Sequence, residues 1–171
     1  SVVVRSLLGL RIDRLMQSSS MVVAGNDYLA ARARRAGARD VAVVPTVVDL
    51  DHYPVGAIAS HDQGALPRVC WIGSPSTTAY LSMVADPLRR VAAEFPFVLR
   101  VIGGGAVELP GVRVESVEWS EDNEARLLRE CSIGIMPLPD APWERGKCGY
   151  KLIQYMASGL PVIASDVGAN S

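Results

Sequence analysis

The sequence predicts an α/β fold of parallel sheets flanked by helices, and two stretches together with the composition predict it. In residues 149–164, Leu152, Ile153, Met156 and Ala157 share one helical side, Gly159 suits a left-handed helix end, and Pro161 forbids continuation. Pro161 to Ala164 then reads as a short strand buried on both faces. Residues 21–45 run strand, turn, helix, turn, strand, the rhythm of a parallel α/β unit. A composition of 49% hydrophobic and 20% charged residues in 171 is globular and long enough for a complete core.

In chain order, Arg5 to Gln17 has helical spacing at Leu8, Ile12, Leu15 and Met16, and Ser18 to Ser20 break it before the strand-like Met21 to Ala24. Gly25-Asn26-Asp27 supplies turn and cap for a helix over Tyr28 to Ala36, closed by Gly37, and Val41 to Val44 is a strand stopped by Pro45. Pro54, Gly56, Gly64 and Pro67 separate two periodic regions, which divides the chain into 1–53, a connection at 54–67 and a second domain at 68–171. There Arg68 to Ile72 is a strand, Gly73 to Thr78 a capping turn and Ala79 to Glu94 a helix. Phe97 to Ile102 is a strand ending in Gly103-Gly104-Gly105, but the dinucleotide spacing fails because its third glycine would fall at Glu108. Val112 to Val114 is a strand, Ser120 caps a helix over Glu121 to Glu130, and Ser132 to Met136 is a strand. Pro137 to Pro142 forms a stiff loop that delivers Trp143 to Lys147.

Several function classes are disfavoured. A net charge of −1 argues against a nucleic-acid partner, and no apolar run approaches the roughly 20 residues that span a bilayer. Without a signal peptide pattern the chain reads as cytoplasmic. Cys70, Cys131 and Cys148 lack metal or disulfide spacing; Cys148 lies beside a cationic loop, but packing is the preferred reading of all three. Asp49-Leu50-Asp51 spells a diphosphate-metal motif of another fold in an interdomain connection, where coincidence is the better reading, so no metal is expected. His52 and His61 read as exposed connection residues. Arg32, Arg34, Arg35 and Arg39 would suit an anionic lipid surface or, as we prefer, a solvated helix end.

Arg145, Lys147 and Lys151 lie before and within the first turn of the helix that Gly149 and Tyr150 open. Cations oppose the positive end of a helix at roughly 0.3–1 kcal/mol each, so the arrangement suits a phosphate or diphosphate held by backbone N–H groups and lysines. The alternative is local pairing of Glu144 with Arg145 and solvated lysines. The side carrying Lys151, Gln154 and Ser158 is the one expected to be free to bind. The small-residue loop Gly73, Ser74, Ser76 and Thr77 reads equally as a second phosphate cradle or an ordinary cap.

The run from Trp143 to Gly168, with Met156-Ala-Ser-Gly-Leu-Pro-Val-Ile-Ala-Ser-Asp-Val-Gly168, resembles the nucleotide-binding half of the group 1 glycosyltransferases. The strand-Gly-Asn, helix and Pro-Thr-x-x-Asp segment at 21–49 resembles the end of the same family's N-terminal domain. The resemblance implies a GT-B fold of two Rossmann-like domains, incomplete in these residues, and a retaining, metal-independent transfer from a nucleotide-diphosphate sugar. The family's two glutamates fall at Gly146 and Gln154, as in a branch that uses lysines here. The resemblance assigns the donor diphosphate to Lys147, Lys151, Gly149, Gly73, Ser74, Ser76 and Thr77. It assigns the nucleoside to Gln154, Gly103, Gly105 and Trp119, although Trp119 also suits simple packing. The usual catalytic histidine lies outside the chain, no cofactor is implied, and the fragment alone is expected to be inactive and to expose apolar surface. Cell-envelope or exopolysaccharide synthesis is the implied role, with a glycan, lipid-linked or other acceptor and a peripheral contact at the inner membrane face. A nucleotide-sugar epimerase of the same fold and a non-catalytic nucleotide-sugar-binding scaffold are the alternatives.

Overall fold

The computed structural model describes residues 2–53 and 64–170. Most of the expected connection at 54–67, His61 included, lies outside the described residues. The chain divides into two compact units, Ser1–Val47 with Asp140–Gly149 and Val167–Ser171, and Val48–Pro139 with Tyr150–Asp166.

In the smaller unit α1 (Val2–Ser18) precedes β1 (Val22–Ala24), which pairs in parallel with β2 (Val41–Val43) across α2 (Asp27–Arg35). Asn26 caps α2 as its sequence position predicts, its Oδ1 accepting from Leu29 N at 2.9 Å. Its Nδ2 donates to Lys147 O at 2.8 Å, so one asparagine fixes a helix start and a distant turn. Arg32, Arg34 and Arg35 fill the last turn of α2, where cations complement the dipole, and Arg32 pairs with Asp13. The short helix α5 (Pro142–Arg145) also belongs here.

The larger unit is a five-stranded parallel sheet of β3 (Arg68–Ile72), β4 (Val98–Ile102), β5 (Arg113–Val117), β6 (Ile133–Met136) and β7 (Val162–Ala164), in the order β5-β4-β3-β6-β7. Alternation along β3 sends Cys70 and Ile72 into one core with Leu127, Leu128, Cys131 and Tyr155, and Trp71 into the other with Leu81, Leu99 and Val101. The first core packs under α4 (Glu121–Arg129) and α6 (Tyr150–Ala157). Ser120 and Asn123 form a reciprocal capping box that starts α4.

Strand order reverses between β3 and β6, whose ladder covers only Val69↔Ile133 and Cys70↔Gly134. Beyond it the strands separate, and the fully buried Tyr155 of α6 fills the gap. Its hydroxyl accepts from Ile72 N at 3.0 Å and donates to Ile135 O at 3.3 Å, while its ring lies where a Cβ on Gly134 would stand, 2.6 Å away. This bond set seats α6 over the switch point.

Two expectations are corrected. The helix expected over Ala79 to Glu94 is a 3-10 helix over Pro75–Val84 followed by α3 (Ala85–Glu94). Thr77, Thr78 and Ser82 hydroxyls donate to the carbonyls of Ser74, Pro75 and Ala79, three residues back, a geometry that suits the tighter winding. β7 is not buried on both faces: it pairs only with β6 among the described residues, and Ile163 is 63% exposed. An apolar run reads the same at a sheet edge as at its centre.

Candidate functional site

The carboxyl ends of β3, β4 and β5 open on a cavity of about 320 Å³ within the larger unit. This is where open parallel sheets place ligands, beside the point at which strand order reverses. Ile72, Gly73 and Ser74 line it from β3, Gly103 from β4 and Trp119 from the segment after β5. Glu124 of α4 and Tyr150, Lys151 and Gln154 of α6 complete the wall.

Lys151 is the second residue of α6, whose first turn carries no acidic side chain. Its ammonium stands 4.6 Å from the centre of the buried Trp71 ring, within cation–π range. Gly73 makes room for it: a Cβ there would lie 2.6 Å from Lys151 Nζ and 2.5 Å from Trp71 Cη2. Gly103 has φ +74°, and a Cβ would meet Gly73 O and Trp119 Cβ at 2.9 Å each. These two glycines thus hold the floor of the cavity as bare backbone.

Three further lining residues, Trp119, Glu124 and Gln154, form a polar quartet with Tyr53. Glu124, only 6% exposed, accepts at Oε1 from the Tyr53 hydroxyl and from Gln154 Nε2 at 2.6 Å, and at Oε2 from Trp119 Nε1 at 2.5 Å. Gln154 Nε2 also donates to the Tyr53 hydroxyl oxygen at 3.1 Å, so both amide hydrogens of Gln154 are engaged. Burial, and then the neighbouring Glu124, push the Tyr53 hydroxyl pKa upward, which keeps it a donor. Among the described residues no cation pairs with Glu124.

The cavity gathers part of the predicted set. Gly73, Ser74, Gly103, Trp119, Lys151 and Gln154 line it together, and Gly105 lines a neighbouring cavity with Gly103 and Trp119. Ser76 and Thr77 line neither: Ser76 Oγ is 2.9 Å from Ser74 Oγ, and Thr77 Oγ1 donates to Ser74 O. Lys147 and Gly149 belong to the smaller unit, where Lys147 Nζ lies 3.9 Å from Glu144 and burial lowers its pKa against the pull of that carboxylate. Arg145 pairs with Asp140 at 2.5 and 2.8 Å rather than with Glu144. The α6 side expected to be free is partly interior, since Gln154 is 3% exposed.

Sequence reasoning missed Glu124 and Tyr53. Their one sequence signal is a carboxylate three and four residues before Leu127 and Leu128, on the apolar side of α4. Asp49 of the D-x-D caps a 3-10 turn, its Oδ1 accepting from Asp51 N at 3.0 Å. Among the described residues no cluster of three or more His, Cys, Asp or Glu is placed to hold a metal ion, and no helix is long and apolar enough to cross a membrane.

The profile of the family described as glycosyl transferases group 1 matches residues 66–171. The fold is similar to that of a sucrose-phosphate synthase from Thermosynechococcus elongatus, with a TM-score of 0.64 and 17% identity. That match covers 93% of this chain and 44% of the synthase, so the chain spans less than half the length of that relative. No curated protein matches the sequence.

Proposed function

The chain belongs to the group 1 glycosyl transferases, and on that premise we propose that the cavity of the larger unit holds the nucleoside diphosphate of a nucleotide-sugar donor. The observation that carries this reading is Lys151. In the first turn of α6 its ammonium lies at the positive end of a helix and beside bare glycine backbone, an arrangement in which an ammonium and backbone N–H groups can converge on one anion. The diphosphate lies against Lys151, Gly73 and Ser74 in this reading, and the nucleoside extends towards Trp119, Gly103 and Gly105. Lys147 and Gly149, which belong to the smaller unit, are diphosphate candidates on the strength of the sequence alone.

The chemistry assigned to these residues is electrostatic. Negative charge grows on the diphosphate as the bond to the sugar breaks, and an ammonium and helix N–H groups already in place stabilise it without reorganising. In this proposal no metal is required, because the ammonium supplies the countercharge. Sugar transfer belongs to the full-length protein. A glycan or lipid-linked acceptor, a role in cell-envelope or exopolysaccharide synthesis, and a cytoplasmic site touching the inner membrane face complete the proposal, supported by the resemblance alone.

Incubating the full-length protein with a panel of nucleotide-diphosphate sugars and a membrane extract as acceptor source tests the reading. Release of nucleoside diphosphate with labelled sugar in a glycan or lipid product is expected. Isomerised free sugar would favour an epimerase, and tight nucleotide binding without product would favour a scaffold; either outcome overturns transfer.

A further inference from the structure

We infer that Glu124 is a ligand contact of this site, its Oε2 accepting a hydrogen bond from a pentose hydroxyl of the bound nucleotide, with Gln154 and Tyr53 as the residues that position it. The inference rests on the donor-binding reading above and assigns a residue that it leaves out.

A carboxylate offers about four acceptor positions. Tyr53 and Gln154 occupy both on Oε1, and Trp119 occupies one on Oε2, which leaves one on the oxygen shared with the half-exposed Trp119. Glu124 nonetheless lines the same cavity as Lys151. A buried carboxylate with no paired cation is costly to keep, and three neutral donors from three separate parts of the chain orient this one. A hydrophobic residue at this place on α4 would serve the core better, so a packing role does not account for it.

The ligand chemistry follows from the two charged groups that line the cavity, Lys151 and Glu124. Lys151 suits an anionic group, whereas the open position on Oε2 suits a neutral O–H or N–H and repels phosphate. A nucleoside diphosphate carries both, and its pentose adjoins the diphosphate, so in a cavity of about 320 Å³ the pentose is the part that reaches Glu124. The base, further along, extends towards the neighbouring cavity lined by Gly103, Gly105 and Trp119. Gln154 gives both amide hydrogens to the quartet, so it acts through Glu124.

The test is calorimetric titration of the full-length protein with the nucleoside diphosphate it binds best and with the 2′-deoxy and 3′-deoxy analogues. The parent is expected to lose at least tenfold in affinity with one of the two analogues, the factor that 1.4 kcal/mol represents. Glu124→Gln is expected to weaken the ribonucleotide at least tenfold and to bind ribonucleotide and analogue alike. Equal affinity of the parent for all three ligands overturns the pentose assignment without any variant, and so covers a Glu124→Gln that fails to fold. If the parent distinguishes the pentoses and a folded Glu124→Gln distinguishes them equally well, Glu124 is not the contact. If Glu124→Gln instead changes the choice among bases, Oε2 meets a base N–H and the assignment also falls. A parent that binds no nucleoside diphosphate removes the donor-binding reading and this inference with it.

Discussion

Gly73→Ala is the substitution whose consequences the geometry defines most closely. Gly73 is not among the glycines with positive φ, so its backbone would accept an alanine. The obstacle is space: the new Cβ would lie 2.5 and 2.7 Å from Cη2 and Cζ2 of Trp71 and 2.6 Å from Lys151 Nζ. The two neighbours respond differently. Trp71, 1% exposed and packed among Leu81, Leu99 and Val101, has nowhere to go, and overpacking of this kind costs about 1–3 kcal/mol. Lys151 yields easily because its end is flexible, and in yielding it leaves the anion site. A charge-assisted hydrogen bond is worth about 1.5–3 kcal/mol, so nucleoside diphosphate affinity should fall by about 10- to 150-fold. Urea unfolding reads the first effect and calorimetry on the folded variant the second. An alanine variant with parental stability and parental affinity would refute both the packing of Trp71 on Gly73 and the place given to Lys151.

Three further outcomes concern the frame that carries the site. Burial raises the Glu130 pKa, but hydrogen bonds from Arg100 and Arg126 outweigh it and hold the pKa below its ordinary 4.5. The stabilisation is therefore present above about pH 4.5 and lost as pH falls through the lower folded-state value, so urea midpoints should drop in that acid range and drop less in Glu130→Gln. Arg100→Met removes the buried partner of Glu115 and Glu130, which keep 41% and 34% of their side-chain surface exposed. Its cost should be about 2–3 kcal/mol in chemical denaturation, below the ~3–5 of a fully buried pair. Ser120→Ala breaks the capping box of α4 and should cost about 1 kcal/mol. Because α4 carries Glu124, nucleotide affinity should weaken as well, as calorimetry on the same variant would show.

The strands and helix starts were legible because their causes are local. Asn26 and Ser120 announce their caps within three residues, and the glycines after β3 and β4 mark where backbone meets the cavity. The polar quartet was not legible, since Tyr53 meets Glu124 across 71 positions and Gln154 across 101. Only the fold brings such residues together. Charges misled in a similar way: Arg145 stands beside Glu144 in sequence but takes Asp140, five positions back, as its partner. The 3-10 winding at Pro75–Val84 was hidden because the same serines and threonines serve as helix caps, and hydroxyl bonding three residues back does not show in apolar spacing.

The central claim is that Lys151 holds the donor diphosphate. Calorimetric titration of Lys151→Ala in the full-length protein at fixed salt, with a nucleoside diphosphate and then the matching phosphate-free nucleoside, tests it most directly. A loss of about 10- to 150-fold for the diphosphate with the nucleoside nearly unchanged is the predicted result. Unchanged diphosphate affinity would contradict the claim, and an equal loss for both ligands would mean that Lys151 supports the fold of the cavity rather than the anion.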